Sequence, residues 1–244
     1  MSFKTEAFVL QARVWYKADK IYYLFTPQEG VIKTVLKSAA KPGNKLSGHL
    51  LPFSKVTTMI GRGRMDHMAG VKTLVDYKNL RKDLRSLSLA SSVAELLLRE
   101  ESSGNKQIEF ELLGEIFSFL DDDTVGEDVK MLLVRIFLWK YLSLSGWQPE
   151  LDNCLLCNKE INGQAGKYIA GRGIICREHE SMNSVLITRE LVEFLKFIIK
   201  ADWSKLTDIS LSQSLNREWL RLSKIYYQSV YERPSQSLKL FSYG

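Results

Sequence analysis

The sequence predicts an α+β fold, in which a small N-terminal five-stranded β-barrel is followed by a mainly α-helical domain with an inserted zinc-binding module. Hydrophobic residues alternate with the period of a β-strand over the first 80 residues and change to helical spacing from about residue 83. All three cysteines of the 244-residue chain lie within 23 positions of one another, beside one of only three histidines. We therefore expect one domain over residues 1–80 and a second over residues 81–244, with the zinc-binding insertion at about residues 150–182.

Five short segments rich in Val, Ile, Thr, Phe and Tyr make up the N-terminal region. The predicted strands lie near residues 5–14, 20–26, 30–37, 50–60 and 71–77. Turn-forming sequences separate them, including residues 26–30, 41–44 and 61–64. Five strands in about 80 residues are typical of an OB-fold, a small, partly open barrel that binds oligonucleotides. An SH3-like barrel would have the same pattern, so the strand count leaves both open.

Beyond the barrel, apolar residues recur on one helical face in five successive segments. The predicted helices lie over residues 84–97, 108–120, 129–144, 191–198 and 215–230. The acidic run 121–123 precedes the third of these, where negative charge favours the N-terminal end of the helix dipole. Thr188 is the predicted N-cap of the fourth helix, and Pro234 is expected to end the last one.

Positive charge is concentrated at the N-terminal end of the chain. Residues 1–82 contain 15 Lys and Arg and 5 Asp and Glu, which gives +10, whereas the remainder contains 19 basic and 23 acidic residues, which gives −4. Such an asymmetry indicates a polyanionic partner for the barrel. The alternative is an ordinary solvated, lysine-rich surface.

Several classes of protein are disfavoured by what the sequence lacks. No apolar run approaches the roughly 18–20 residues of a membrane span, and the charged N-terminus does not resemble a signal peptide. We therefore expect a cytoplasmic location and no membrane partner. Residues 61–64 lack the spacing of a phosphate-binding P-loop, and no nucleophile–base arrangement is evident. We therefore expect that the protein is not an enzyme.

Five basic residues are candidates for contacting nucleic acid. Lys37, Lys41 and Lys45 recur every four residues after the third predicted strand, and Arg62 and Arg64 lie in a glycine-containing loop. Such side chains neutralise phosphates and confer salt-dependent binding with little sequence preference. The alternative is that the five residues form an ordinary solvated rim of the barrel.

Aromatic residues of the barrel are candidates for stacking on bases. The set comprises Trp15, Tyr22, Tyr23, Phe25 and Phe53. Most are expected in the barrel interior, but Tyr22 and Tyr23 cannot both be core residues, because successive strand residues point to opposite faces.

The cysteine cluster has the spacing of a tetrahedral metal site. Cys154, Cys157, Cys176 and His179 form the pattern C-x2-C-x18-C-x2-H, which presents two pairs of ligands to one Zn²⁺ ion. Four protein ligands leave no position for an activated water, so the predicted zinc is structural. A zinc deaminase would also need an H-x-E element, which is absent. The alternatives are reduced thiols without metal, or a site that no longer binds it.

Three stretches of the chain resemble those of one known family. They are residues 24–30, 35–41 and 51–53 in the barrel, residues 142–149 leading into Cys154-x-x-Cys157, and residues 231–234 followed by Ser237 and Leu238. In order and spacing the chain is similar to the bacterial DNA repair and recombination mediator family RecO over essentially its whole length. Ser38 and Ala40 stand where the family tends to have Gly and Arg, and His179 replaces a fourth cysteine.

The resemblance implies an OB-fold, a helical bundle and a four-ligand zinc site. It also implies a protein that binds single- and double-stranded DNA, anneals complementary strands, and helps to load the recombinase RecA onto strands coated by single-strand-binding protein. RecR is the further partner that the resemblance implies. Two alternatives stay open: an RNA-binding or ribosome-associated OB-fold protein with a structural zinc site, and an adaptor whose acidic helical body is the working surface.

Overall fold

The structure is a computed structural model that describes residues 1–99, 103–161, 165–182 and 184–231. Its internal contacts divide the chain into two compact units, Met1–Lys130 and Met131–Gly244, and each is described by itself. The fold is of the predicted α+β class, with the N-terminal strands preceding a largely helical region.

The first unit contains the five strands that the sequence predicts. They are β1 (Ser2–Val14), β2 (Lys20–Thr26), β3 (Gly30–Leu36), β4 (Lys55–Gly61) and β5 (His67–Val75). They form a closed barrel in the order β1-β2-β3-β5-β4, because β1 pairs antiparallel with both β2 and β4. Closure between β3 and β5 is weak, since these two strands pair in parallel at the single position Val35–His67.

Strand β1 begins three residues earlier than predicted, and the bounds of the fourth and fifth strands differ more clearly. The fourth strand begins at Lys55 and not near residue 50, because residues 47–49 form a 3₁₀ turn and Phe53 has a φ of 66°. Leu50 and Phe53 are buried, so the apolar signal of this segment comes from a turn that packs on the barrel. The fifth strand begins at His67, four residues earlier than predicted. The prediction missed its first residues because they lack the apolar alternation of a strand.

The barrel has an interior core and a second apolar layer outside β1. The interior cluster comprises Ala7, Val9, Tyr22, Leu24, Ile32, Leu36, Ala39, Leu50, Val56, Ile60 and Met68. Phe8 points to the opposite face of β1, where its ring lies 4.7 Å from that of Phe110 and 5.6 Å from that of Phe117. Both faces of β1 are therefore buried, which explains its continuous run of apolar residues.

Three complete helices follow the barrel in the described part of the first unit. They are α1 (Lys78–Lys82), α2 (Leu84–Arg99) and α3 (Lys106–Asp121). The Phe117 ring of α3 also contacts Phe53 and Tyr77, at 5.5 and 6.0 Å between centroids. A side chain at Gly114 would come within 3.3 Å of the Phe8 ring, so this glycine permits the close approach of α3 to β1.

The acidic run has a different role from the predicted one. Asp121 is the last residue of α3, and its carboxylate accepts a hydrogen bond of 2.8 Å from the backbone N–H of Leu80 in α1. The next helix, α4 (Glu127–Leu142), carries Glu127 and Asp128 in its own first turn. The prediction that residues 121–123 serve the dipole of the third helix was therefore wrong, because Asp121 caps a short helix that the sequence did not reveal.

The second unit is helical with a small inserted sheet. After α4 the described residues form a π-helical turn (Ser143–Trp147), the strands β6 (Gly166–Ile169), β7 (Gly173–Ile175) and β8 (Ser184–Ile187), the helices α5 (Arg189–Lys200) and α6 (Gln213–Val230), and between these helices a short 3₁₀ helix (Trp203–Lys205). The strands form an antiparallel sheet in the order β7-β6-β8, which the sequence did not predict. Thr188 caps α5 as predicted, since its hydroxyl accepts the Leu191 N–H at 3.2 Å.

Stacked aromatic rings form the core of the second unit. Trp139 stacks on Tyr226 at 4.2 Å and donates its indole N–H to Ser223 at 2.8 Å. The Phe194 ring of α5 lies edge-on to Trp219 of α6 at 5.1 Å. Pro234 lies outside the described residues, as does the C-terminal stretch of the family resemblance beyond residue 231. Among the described residues, no helix combines the length and apolarity needed to cross a membrane.

Candidate nucleic-acid interface and metal centre

Three loops of the barrel meet at the C-terminal end of β3. They are the β1–β2 loop (residues 15–19), the first part of the β3–β4 loop (residues 37–45) and the β4–β5 loop (residues 62–66), which together we call the three-loop surface. The β4–β5 loop is attached to β3 by a hydrogen bond of 2.9 Å from the Val35 N–H to the Asp66 carbonyl. Lys37 therefore follows two residues after the point at which this loop docks.

The β1–β2 and β3–β4 loops are attached to each other as well. The carboxylate of Asp19 accepts the backbone N–H of Ser38 at 2.7 Å. The N–H of Ala40 donates to the carbonyl of Ala18 at 2.8 Å. These bonds hold the two loops side by side, so that residues distant in sequence share one surface.

The three predicted lysines lie on the outside of this assembly. Lys37, Lys41 and Lys45 are exposed, and none of them forms an ion pair with a described residue. The Asn44 amide organises the loop that carries them by donating to the carbonyls of Lys37 and Ser38 at 3.3 and 3.2 Å. The lysine charges are therefore free to face a polyanion, and the loop beneath them is hydrogen-bonded.

Ser38 has the left-handed backbone conformation that favours glycine. Its φ is 54°, which places the side chain under steric strain that glycine would not experience. The resemblance implies glycine at this position, and glycine would adopt this backbone conformation without the strain. The Asp19 carboxylate at the Ser38 N–H holds the turn in place despite the strain.

The Arg62 side chain already forms ion pairs within the chain. Its guanidinium forms ion pairs with both Glu29 and Asp66, and it lies 4.4 Å above the Phe3 ring. The hydrogen bond to Glu29 is the main cause that raises the pKa of Arg62 above its ordinary value. The structure therefore places this predicted site residue where its charge is already balanced, and where it joins the β2–β3 turn to the β4–β5 loop.

Arg64 lies two residues further along the same loop and is exposed. No carboxylate within the described part of the chain pairs with it. Because Asp66 attaches this loop beside Val35, the structure brings Arg64 to the same surface as Lys37. Of the five predicted basic residues, four present free charge on the three-loop surface and Arg62 does not.

The candidate aromatic residues differ in burial, and only Tyr22 and Tyr23 show the alternation of strand faces that the sequence predicts. Tyr22, Phe25 and Phe53 are buried, and burial raises the pKa of Tyr22. Tyr23, on the opposite face of β2, is half-buried. Trp15 is different, because it lies in the β1–β2 loop and 48% of its surface is exposed.

Tyr16 and Lys17 belong to the same surface, although the sequence reasoning did not single them out. Tyr16 is 63% exposed, and the Lys17 ammonium lies 5.2 Å from the centre of its ring. The sequence did indicate exposed aromatic residues here, because two consecutive aromatic residues in a turn between strands cannot both fill a barrel interior.

In the second unit, two turns bring the predicted metal ligands together. Cys154 and Cys157 flank a turn in which the Asn158 N–H donates to the Cys154 carbonyl at 2.9 Å. Cys176 directly follows β7, and the next turn returns His179 to it through a backbone hydrogen bond of 3.2 Å. The ligand atoms of all four residues lie within 4.8 Å of one another, so these predicted ligands form one cluster.

The distances in this cluster are close to those of a tetrahedral metal site. His179 Nδ1 lies 2.9 Å from the sulfur of Cys176 and 3.7 Å from that of Cys154. Zinc bonds of about 2.0–2.3 Å require ligand separations of roughly 3.5–3.8 Å, so small side-chain shifts would complete the shell. Lys167 holds the second turn from outside by donating to the His179 carbonyl at 2.9 Å.

Backbone N–H groups stabilise the thiolate form of Cys154. Burial acts to raise the pKa of Cys154, but backbone hydrogen bonds outweigh it and lower the pKa to about 6. The donors are the N–H groups of Cys176, Cys157 and Leu156. Partial burial and hydrogen bonds with the other two thiols raise the pKa of Cys176. Three thiols so close together need a cation to ionise together, and the donor set suits a soft divalent metal.

Comparison with known proteins covers both units. The family model "Recombination protein O N terminal" matches residues 1–76, and "Recombination protein O C terminal" matches residues 81–239. The DNA repair protein RecO of Desulforamulus reducens is 31% identical over 238 residues, which cover 95% of this chain and 90% of the relative. That of Dehalococcoides mccartyi is 28% identical over 241 residues, covering 97% and 93%. The chain belongs to the RecO family of DNA repair and recombination proteins.

Proposed function

We propose that this protein is a recombination mediator that binds single- and double-stranded DNA and anneals complementary strands. In this role it helps to load the recombinase RecA onto strands coated by single-strand-binding protein, together with RecR. The observation that carries the proposal is the three-loop surface, where Lys37, Lys41, Lys45 and Arg64 present unpaired positive charge. The protein acts by binding and not by covalent chemistry.

The architecture of the barrel supports this proposal. A closed five-stranded barrel with the order β1-β2-β3-β5-β4 is the arrangement we expect of an OB-fold. Oligonucleotides bind such folds across strands β2 and β3 and beside the β1–β2 and β4–β5 loops. The four free cations lie beside these loops, so their position and the fold favour the same ligand.

Electrostatics explains how such a surface serves annealing. Each cation that neutralises a phosphate releases a condensed counterion, so binding becomes weaker as salt is added and depends little on sequence. A protein indifferent to sequence holds either of two complementary strands and reduces their mutual repulsion. Asp19 and Asp66 do not oppose this field strongly, because one accepts the Ser38 N–H and the other pairs with Arg62.

We propose that the cluster in the second unit holds a structural Zn²⁺ ion. Cys154, Cys157, Cys176 and His179 would supply three thiolates and one imidazole. When bound, the ion supplies a cross-link between the two turns and leaves no open position for catalysis. The chain's own residues prepare this arrangement, since backbone amides stabilise the Cys154 thiolate and Lys167 fixes the turn of His179.

Annealing assays test the proposal. Two complementary DNA oligonucleotides, each coated with single-strand-binding protein, should anneal faster when this chain is added, and the acceleration should weaken with salt. A variant with Lys37, Lys41, Lys45 and Arg64 changed to Glu should lose the acceleration. On uncoated single strands, loss of four phosphate contacts should reduce the slope of log affinity against log salt by about 3.

A matched variant controls for net charge. Changing Lys205, Arg217, Arg221 and Lys224 to Glu alters the same number of exposed charges in the second unit, and should leave the salt slope unchanged. Annealing that is unaffected by the loop variant would contradict the proposal and favour the adaptor alternative. Tighter binding of RNA than of DNA of equal length would favour the RNA-binding alternative.

A further inference from the structure

The tip of the β1–β2 hairpin exposes an unusual amount of aromatic surface. Tyr16 is 63% exposed and Trp15 48% exposed, and the preceding Val14 is 70% exposed. The chain has five tryptophans, and the other four are less exposed: Trp139 and Trp219 are fully buried, Trp203 is 6% exposed and Trp147 is 37% exposed. Contiguous exposed apolar residues on a protein surface commonly mark a binding site.

The tip of this hairpin is held in place by hydrogen bonds. The Trp15 N–H donates to the Asp19 carbonyl at 3.0 Å, and the Asp19 N–H donates back to the Tyr16 carbonyl at 2.9 Å. Lys17 takes a left-handed conformation with a φ of 51°, which closes the turn. The Asp19 side chain then attaches the tip to Ser38. The aromatic rings therefore project from a hydrogen-bonded turn, which lowers the entropic cost of using them in binding.

Two lysines lie beside this aromatic tip. The Lys17 ammonium lies 5.2 Å from the centre of the Tyr16 ring. The bond between Ala40 and Ala18 places Lys41, the next residue, beside the same loop. Aromatic rings next to unpaired cations are the arrangement by which proteins hold single strands, with bases stacked on the rings and phosphates facing the cations.

We propose that Trp15 and Tyr16 form a stacking platform for unpaired bases of a nucleic-acid strand whose phosphates lie on Lys17, Lys41 and their neighbours. This inference rests on the proposed function, because it uses the same cationic surface. It adds a preference for single strands, since the bases of a duplex are already stacked on one another and cannot reach the platform. The surrounding positive charge favours nucleic acid over an apolar protein partner.

The test compares three ligands that carry equal phosphate charge per strand: a single-stranded oligonucleotide, its abasic counterpart and the matched duplex. For Trp15→Ala and Tyr16→Ala we expect affinity for the single strand to fall roughly 5- to 150-fold each. Affinities for the abasic strand and for the duplex should stay within about twofold of those of the parent protein. Thermal unfolding should be unchanged, because both side chains are exposed.

Tryptophan fluorescence gives a second readout. The parent protein should be quenched by the single strand, the Trp15→Phe variant should lose this quenching, and the Trp147→Phe control should retain it. If the alanine substitutions reduced affinity for the normal and the abasic strands equally, the inference would be overturned. Unchanged single-strand affinity in both alanine variants would also overturn it, while salt-dependent binding by the parent protein would leave the proposed function intact. A parent protein that binds no nucleic acid would refute both.

Discussion

At the scale of single residues, identical side chains two positions apart have different roles. Arg62 and Arg64 look equivalent in the sequence, since both lie in one glycine-containing loop. In the structure Arg62 pairs with Glu29 and Asp66, whereas Arg64 has no ion-pair partner among the described residues. The first arginine helps to close the barrel where β3 and β5 share a single bridge, and the second offers free charge.

Separate alanine substitutions should distinguish these roles. Arg64→Ala should reduce the salt slope of single-strand binding by about 0.7, the loss of one phosphate contact, with an unchanged unfolding temperature. Arg62→Ala should lower the unfolding temperature and change the salt slope little, because its charge is already paired. Thermal scans and salt titrations of both variants provide the measurements. A fall in salt slope for Arg62→Ala without loss of stability would contradict the structural role.

Ser38→Gly should stabilise the protein. Relief of the left-handed backbone at φ 54° outweighs the extra entropy of a glycine in the unfolded chain, and we expect a gain of up to about 1 kcal/mol in the free energy of unfolding. Ala40→Gly is the matched control in the same loop, because Ala40 does not have a positive φ. It should lose roughly 0.5–1 kcal/mol. Urea unfolding curves that ranked the two variants in the opposite order would disprove the explanation.

At the scale of elements, short turns and strands hold the four residues of the candidate metal cluster together. The two ligand turns, each of four residues, bring Cys154, Cys157, Cys176 and His179 within 4.8 Å. The three strands between and after these turns have only three or four residues each. Tyr168, Ile174 and Ile175 of these strands are fully buried, and a bound ion would cross-link the two ligand turns beside this small core and add to the local stability.

Metal removal should therefore unfold this region. The purified protein should contain about one zinc per chain, and its three thiols should react slowly with a thiol reagent until a chelator is added. Acidification should release the metal, because thiolates and imidazole must be deprotonated to bind it. His179→Ala should lower metal content and unfolding temperature, whereas His67→Ala, in the barrel, should leave metal content unchanged. Fully reactive thiols in the untreated protein would rule out the site.

At the scale of the whole molecule, the sequence and the contacts suggest different boundaries for the first folding unit. The change of hydrophobic period predicts a domain that ends near residue 80, whereas contacts group the chain as Met1–Lys130 and Met131–Gly244. The physical reason is the aromatic layer outside β1, where Phe8 packs against Phe110 and Phe117. A barrel without α3 would leave this layer in water.

Fragments should separate the two boundaries. We expect residues 1–130 to fold alone and residues 1–80 to be partly unfolded, as measured by circular dichroism and urea unfolding. Phe117 is fully buried, so Phe117→Ala in the longer fragment should cost about 3–5 kcal/mol and approach the behaviour of the shorter one. Ile108→Ala, at an exposed position of the same helix, should change stability by less than about 0.5 kcal/mol. Cooperative unfolding of residues 1–80 would support the earlier boundary.

The sequence by itself determined the features that depend on local pattern. Period 2 predicted the strands of the barrel and period 3.6 the longer helices, because side-chain direction follows backbone geometry over a few residues. Spacing alone identified the four residues of the candidate metal cluster, since each pair lies within one turn. Family membership also follows from the sequence.

Only the tertiary structure decided which polar and charged residues form ion pairs or hydrogen bonds within the chain and which remain free. The partner of Arg62 in the β2–β3 turn is 33 residues away, and Asp121 caps a helix 41 residues before it. The same holds for Ser38 and Asp19, whose bond joins two loops. These contacts bring together groups that are distant along the chain, and no local period records such a pairing. The difference between a free and a paired arginine, on which the proposed binding surface depends, therefore emerges only when the barrel closes.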